Sequence, residues 1–221
     1  MKRLVVALLF AGWYSYGLSP AAAHAGMPPL VGTTFVIDPG HGTRYPDGSP
    51  LNVGAVGPTG VRENVVALAV GEDLARRLRD AGARVVLTRS YAKPFRTATV
   101  LRLDNRARAK LANDLHATGF VAIHADASTD RTQRGTSVFW LKPNSVRLAN
   151  AMRAHLATLG LGESEFRARD LAVTNEARVP AVLVELGFVS NPAQAQMLAT
   201  SAFQQRAAGV LYDALVETFS R

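Results

Sequence analysis

Three short apolar runs in this chain each end on a polar residue able to do chemistry. Phe35-Val36-Ile37 leads into Asp38, with Pro39-Gly40-His41 just beyond. The run from Phe120 to Ile123 ends on His124, and the run from Ala181 to Val184 ends on Glu185. None alternates with polar positions, and branched side chains dominate. That is the pattern of a strand covered on both faces, as in a parallel sheet.

Between these runs the apolar period changes from continuous to helical. Val66, Leu68, Ala69, Leu74 and Leu78 predict a helix over 63–81, closed by Gly82. Leu103, Ala107, Leu111 and Leu115 recur every four residues and predict a second helix over 101–116. Further helices are expected over 144–159, 192–200 and 203–219. Strands are expected over 33–38, 84–88, 119–124, 135–140 and 180–185. Residues 26–32 read as an extended lead-in, and 40–60 as a long loop rich in Gly and Pro. Strands alternating with helices predict a single-domain α/β sandwich, with a mainly parallel, roughly six-stranded twisted sheet and helices on both faces.

In open sheets of this kind, ligands bind outside the carboxyl ends of the strands. His41, His124 and Glu185 are therefore expected at one edge, around one site.

Composition narrows the setting. Residues 1–25 carry Lys2 and Arg3, an apolar stretch from Leu4 to Gly12 and small residues from Ala21 to Ala25, the layout of a secretory signal peptide. Residues 26–221 would then form the mature domain, periplasmic or extracellular, without stable membrane insertion. The chain has no cysteine, so disulfides are excluded and any zinc would rest on histidine and carboxylate ligands, the donor set of catalytic sites. Without residues 1–25, 23 basic side chains face 17 acidic ones. That balance suits an anionic partner such as a cell-wall polymer. Scattered arginines without interleaved aromatics, together with export, argue against nucleic acid. Gly54, Gly57 and Gly60 do not form a phosphate loop, because the following Lys is absent and no strand leads directly into them.

The polar residues differ in weight. His24, His116 and His155 read as ordinary surface or core histidines; His116 ends a helix and His155 has no evident partner. Asp38, before Pro-Gly, reads as a turn or histidine-orienting carboxylate rather than a ligand. Glu185 closes an apolar run, where an unpaired acid is costly to bury. Phe139 and Trp140 read as core. Arg76, Arg77 and Arg79 read as a solvated helix face. Arg167 and Arg169 fall on a predicted loop able to approach the cleft, and are candidates to meet a peptide carboxylate.

Four blocks occur in a telling order: Asp38-Pro39-Gly40-His41-Gly42; Gly54-Ala55-Val56-Gly57 with Glu63; Ile123-His124-Ala125; and Glu185-Leu186-Gly187-Phe188-Val189-Ser190-Asn191-Pro192. In these blocks, and in Val86 to Arg89, 103–113 and Gly135 to Trp140, the chain resembles the zinc-dependent N-acetylmuramoyl-L-alanine amidases of bacterial cell-wall turnover, in their type-3 catalytic domain. The resemblance implies that His41, Glu63 and His124 bind one Zn²⁺ and that Glu185 is the catalytic carboxylate. It implies peptidoglycan as substrate. Three N/O ligands with one open position suit hydrolytic zinc.

Three departures stand out. A longer segment, 43–52, replaces a short turn and bears on the rim. Asp126 stands where Asn is frequent. Asn64 stands where Lys is common and reads as a surface change. No long plug fits between Phe139 and Val184, so an open site without an obligate activator is expected. The competing readings are a zinc peptidase acting within the stem peptide and a non-catalytic wall-binding protein on the same fold.

Overall fold

The computed structural model describes residues 28–42, 53–90 and 101–220, with side chains described from 105 onward in the last segment. The proposed signal peptide, His24 and the departure at 43–52 lie outside the described residues.

Six strands form one sheet: β1 (Thr34–Pro39), β2 (Arg84–Leu87), β3 (Gly119–Asp126), β4 (Thr136–Trp140), β5 (Glu163–Ala168) and β6 (Ala181–Phe188). The order is β2-β1-β3-β6-β4-β5. Pairing is parallel throughout except between β4 and β6. The helices are α1 (Glu63–Asp80), α2 (Leu101–Asp114), α3 (Val146–Ala157), α4 (Ala172–Glu176), α5 (Pro192–Leu198) and α6 (Ser201–Phe219).

The sheet is covered on both sides because its strands are apolar on both faces. Phe35, Ile37, Val121, Ile123, Val182 and Val184 pack with α1, α3, α5 and α6. Val36, Phe120, Ala122, Phe139, Ala181 and Leu183 pack with α2 and α4. Because side chains alternate along a strand, Asp38, His124 and Glu185 share the second face with Val36, Ala122 and Leu183. All three lie at the carboxyl edge of their strands.

The structure departs from the sequence expectation at β5, at α4, which the apolar pattern does not predict, and in the lead-in. Arg167 belongs to β5 rather than to a loop, and Arg169 follows that strand directly. β5 is an edge strand with half-exposed residues and alternating charge, so it lacks the continuous apolar run that marks the central strands. The lead-in also differs: residues 29–32 turn, and Leu30 is fully buried in the core. His155 is not partnerless either, since its Nε2 lies 2.8 Å from Glu217 Oε2 on α6. His116 lies two residues beyond α2, with a left-handed φ of 46°.

Gly71 sets the approach of α1 to β1. A Cβ there would stand 2.7 Å from Pro39 Cγ, and the proline ring cannot rotate away. Replacing Gly71 by Ala should gain about 1 kcal/mol of helix propensity but lose about 1–3 kcal/mol to overpacking. G71A is therefore expected to destabilise in urea unfolding, and a stabilised variant would contradict this packing.

Candidate metal centre

The loop after β1 carries His41 and is tied down from below by two buried arginines. Arg108 on α2 is 1% exposed. Its Nη1 donates to Asp38 Oδ1 at 2.8 Å and to the Pro39 carbonyl at 3.3 Å, and its Nη2 donates to the His41 carbonyl at 2.9 Å. Arg89 donates to the carbonyls of Pro39, Gly40 and Asn64 at 2.8, 2.7 and 2.8 Å. Asp38 also accepts from the Thr88 hydroxyl. Asp38 thus neutralises Arg108 rather than capping its own turn or hydrogen-bonding a histidine.

These tethers hold His41 in the left-handed region, with φ 60°, which disfavours residues carrying a Cβ. The Gly42 carbonyl accepts from Asn64 Nδ2 at 3.0 Å. Asn64 is 2% exposed, so it is no surface substitution: one turn face of α1 packs it beneath the loop.

Glu63 opens α1 and reaches over the sheet edge. Its Oε1 lies 3.0 Å from His41 Nε2 and 2.8 Å from His124 Nδ1. Its Oε2 accepts from the Ala55 amide at 2.8 Å. The register between β3 and β6 shifts just past His124, and the Ala125 amide donates to Glu63 Oε1 at 3.3 Å. Such bulges re-aim side chains beside sites. Glycines allow the close approach. A Cβ on Gly40 would fall 2.3 Å from the His124 ring, and one on Gly54 would fall 2.4 Å from Glu63 Oε2.

One potential ligand atom from each of His41, Glu63 and His124 lies within 4.8 Å of the others. Tetrahedral zinc with bonds near 2.0–2.1 Å spaces its ligands about 3.3 Å apart. The observed 2.8 and 3.0 Å contacts need to open by a few tenths of an ångström, so the donor set fits such an ion. Burial alone would raise the Glu63 carboxyl. Hydrogen bonds from His124 and His41, and their charge, outweigh it and hold Glu63 well below the ordinary carboxylate value.

Glu185 pairs in register with His124 across β3 and β6 and lines the same cleft, of about 390 Å³. Its Oε2 is buried without a hydrogen-bond partner. Burial, then the charges of Glu63 and Asp126, push its carboxyl well above the ordinary value, against the opposing charge of Arg169. Asp126, at the end of β3, is raised by burial, with the Ala127 amide opposing and Glu63 adding to it. The cleft is closed on one side by Leu171, Ala172 and Val173 at the start of α4. Arg169 also lines it, whereas Arg167 does not. The sequence reading missed Arg108 and Asn64. The available signal was Asp38 itself, because a carboxylate ending a buried strand requires a buried cation or donor.

The sequence profile of the N-acetylmuramoyl-L-alanine amidase family, Amidase_3, matches residues 35–217, and the chain belongs to that family. It is 29% identical over 211 residues to a probable cell wall amidase, LytH, of Staphylococcus epidermidis. That match covers 95% of this chain, but the chain spans only 66% of the relative's length. Among solved structures, the catalytic domain of the amidase CwlV from Bacillus (Paenibacillus) polymyxa superposes with a TM-score of 0.71 at 30% identity, covering 84% of this chain and 97% of that one. The amidase AmiC2 of Nostoc punctiforme gives a TM-score of 0.72 at 26% identity, covering 84% and 96%.

Removing Arg108 would strand Asp38 in the core and release the His41 loop. Arg108→Ala is expected to cost about 3–5 kcal/mol of stability in urea unfolding, and a loss below about 1 kcal/mol would contradict the tether. Asp38 titrates below its ordinary value of 3.8: burial pulls it up, but Arg108 and Thr88 outweigh that. Its stabilisation is thus complete above that unfolded-state value and is lost as pH falls through the lower folded-state value. Asp38→Asn should flatten this acid-side loss.

Proposed function

We propose that this chain is an exported, zinc-dependent hydrolase that cuts the amide between N-acetylmuramic acid and L-alanine in peptidoglycan. The observation that carries the reading is the convergence of His41, Glu63 and His124 on one point beside the buried Glu185, in a member of the amidase family. Export rests on the signal-like residues 1–25. Among the described residues, no helix is long and apolar enough to cross a membrane.

In this reading His41, Glu63 and His124 would hold one Zn²⁺, which when bound would polarise the scissile carbonyl and lower the pKa of a bound water to about 7. Glu185 is the general base. In its ionised form, which a nearby bound dication would favour, its unpartnered Oε2 takes the proton of the attacking water and returns it to the leaving L-alanine nitrogen. Water adds to the carbonyl carbon, the C–N bond breaks, and the products are a muramic carboxylate and a free peptide amine. The apolar start of α4 shields that proton transfer from bulk solvent. His41 is kept on target by the backbone tethers of its loop, and His124 by its place in β3 beside β6.

The test is digestion of purified peptidoglycan by the mature chain alone, with products read by mass spectrometry. Stem peptides beginning with L-alanine, abolished by a chelator and restored by zinc, are expected. Cuts inside the peptide would replace this reading with a zinc peptidase, and strict dependence on a second protein would overturn the open site. Glu185→Ala should retain zinc yet lose roughly 10²–10⁴-fold in activity; near-normal turnover would remove Glu185 from the mechanism.

A further inference from the structure

Arg169 is the one lysine or arginine among the described residues that line the cleft. The other charged groups there are Glu63, Asp126 and Glu185, all acidic. Its guanidinium stacks over the ring of Phe139, with Cζ 4.8 Å from the ring centre, and Phe139 is 1% exposed. The ring is a fixed platform, because it belongs to β4 inside the second core layer.

The backbone at this position is held on both sides. The Arg169 amide donates to the Trp140 carbonyl at 2.7 Å. Its own carbonyl accepts from the Leu171 amide at 3.0 Å and from the Thr174 hydroxyl at 2.9 Å. The side chain, in contrast, is exposed and has no hydrogen bond or ion pair among the described residues. Nearby acids are engaged elsewhere. Glu165 takes Arg167, Asp170 accepts from Asn175 at 2.8 Å, and Asp126 accepts from the Ala127 amide at 2.7 Å.

A positioned guanidinium with its N–H groups free, at the rim of a site that handles a peptide, has a specific chemical complement. Five donors in a planar fork match a carboxylate in two-point contact, which no other side chain in the cleft offers. Arg167 cannot serve in the same way. Its guanidinium is paired with Glu165 and sits farther from the Phe139 ring, at 5.8 Å.

We propose that Arg169 is a specificity-determining residue that binds a free carboxylate on the peptide arm of the substrate, close to the scissile amide. This rests on the amidase reading above. The site would therefore prefer peptides carrying that carboxylate over peptides in which it is a primary amide. The contact also aligns the peptide against the apolar start of α4, so the leaving nitrogen faces Glu185.

The test uses the zinc-loaded chain and two muramoyl dipeptides that differ only in a free α-carboxylate or its primary amide on the second residue. The wild type should favour the free acid in kcat/KM by roughly 10- to 100-fold, the range of a charge-assisted hydrogen-bonded contact. Arg169→Ala should erase that preference, mostly by losing turnover of the free acid, and Arg169→Lys should restore part of it. Arg167→Ala should leave the preference intact. The ratio is taken within one preparation, so a reduced folded fraction does not affect it. Equal losses on both substrates in Arg169→Ala, or a wild type indifferent to amidation, would overturn the carboxylate anchor while leaving the amidase intact. A wild type that cuts neither dipeptide nor polymeric peptidoglycan would overturn the amidase reading and this inference with it.

Discussion

The site depends on a buried charge pair. A guanidinium enters a protein core only if its donors are met, and Arg108 meets them with Asp38 and with the carbonyls of Pro39 and His41. Those carbonyls belong to the loop that carries a proposed metal ligand. The ion pair therefore joins the core between β1 and α2 to the backbone beneath His41. Arg89 makes the same kind of junction from the end of β2, gripping Pro39, Gly40 and the first turn of α1 at once. His41 is strained at φ 60°, and such strain persists only where the surroundings over-determine it. Two arginines and Asn64 supply that over-determination.

Charge explains the rest of the cleft. Glu63, Asp126 and Glu185 crowd one small volume, and the last two are pushed toward the neutral form by burial and by the charge of Glu63. Such a concentration of carboxylates beside two imidazoles suits a positive counter-charge, which the proposed dication would supply. Glu63 differs from the other two because it already lies between His41 and His124. Glu185 sits one strand over, without a partner on Oε2. In the proposed mechanism the same type of side chain would thus serve metal binding in one place and proton transfer in the other, set apart by burial and neighbours.

Most of this was legible in the sequence where a single strong signal dominated. The runs at 35–37, 120–123 and 181–184 are short, continuously apolar and rich in branched side chains, the pattern of a strand in a covered sheet, so β1, β3 and β6 and the side chains at their ends could be read directly. The four motif blocks then picked out His41, Glu63, His124 and Glu185 as a set. β5 escaped because Glu163, Ser164, Glu165 and Arg167 give an edge strand no apolar run, and α4 because five residues carry too little periodicity. Asn64 and Arg108 escaped for a different reason. A polar residue on a helix reads as solvated unless its partner is known, and their partners lie 22 and 70 residues away. The pairing of His155 with Glu217, 62 residues apart, is hidden in the same way.

The most direct measurement is zinc titration of the metal-free mature chain by calorimetry, followed by X-ray absorption of the loaded protein. One ion per chain is expected, with two imidazole nitrogens and carboxylate oxygen at about 2.0–2.1 Å. Substitution of His41, Glu63 or His124 by Ala should each abolish tight binding. Absence of binding, or binding that survives those three substitutions, would contradict the convergence of these residues on a metal centre.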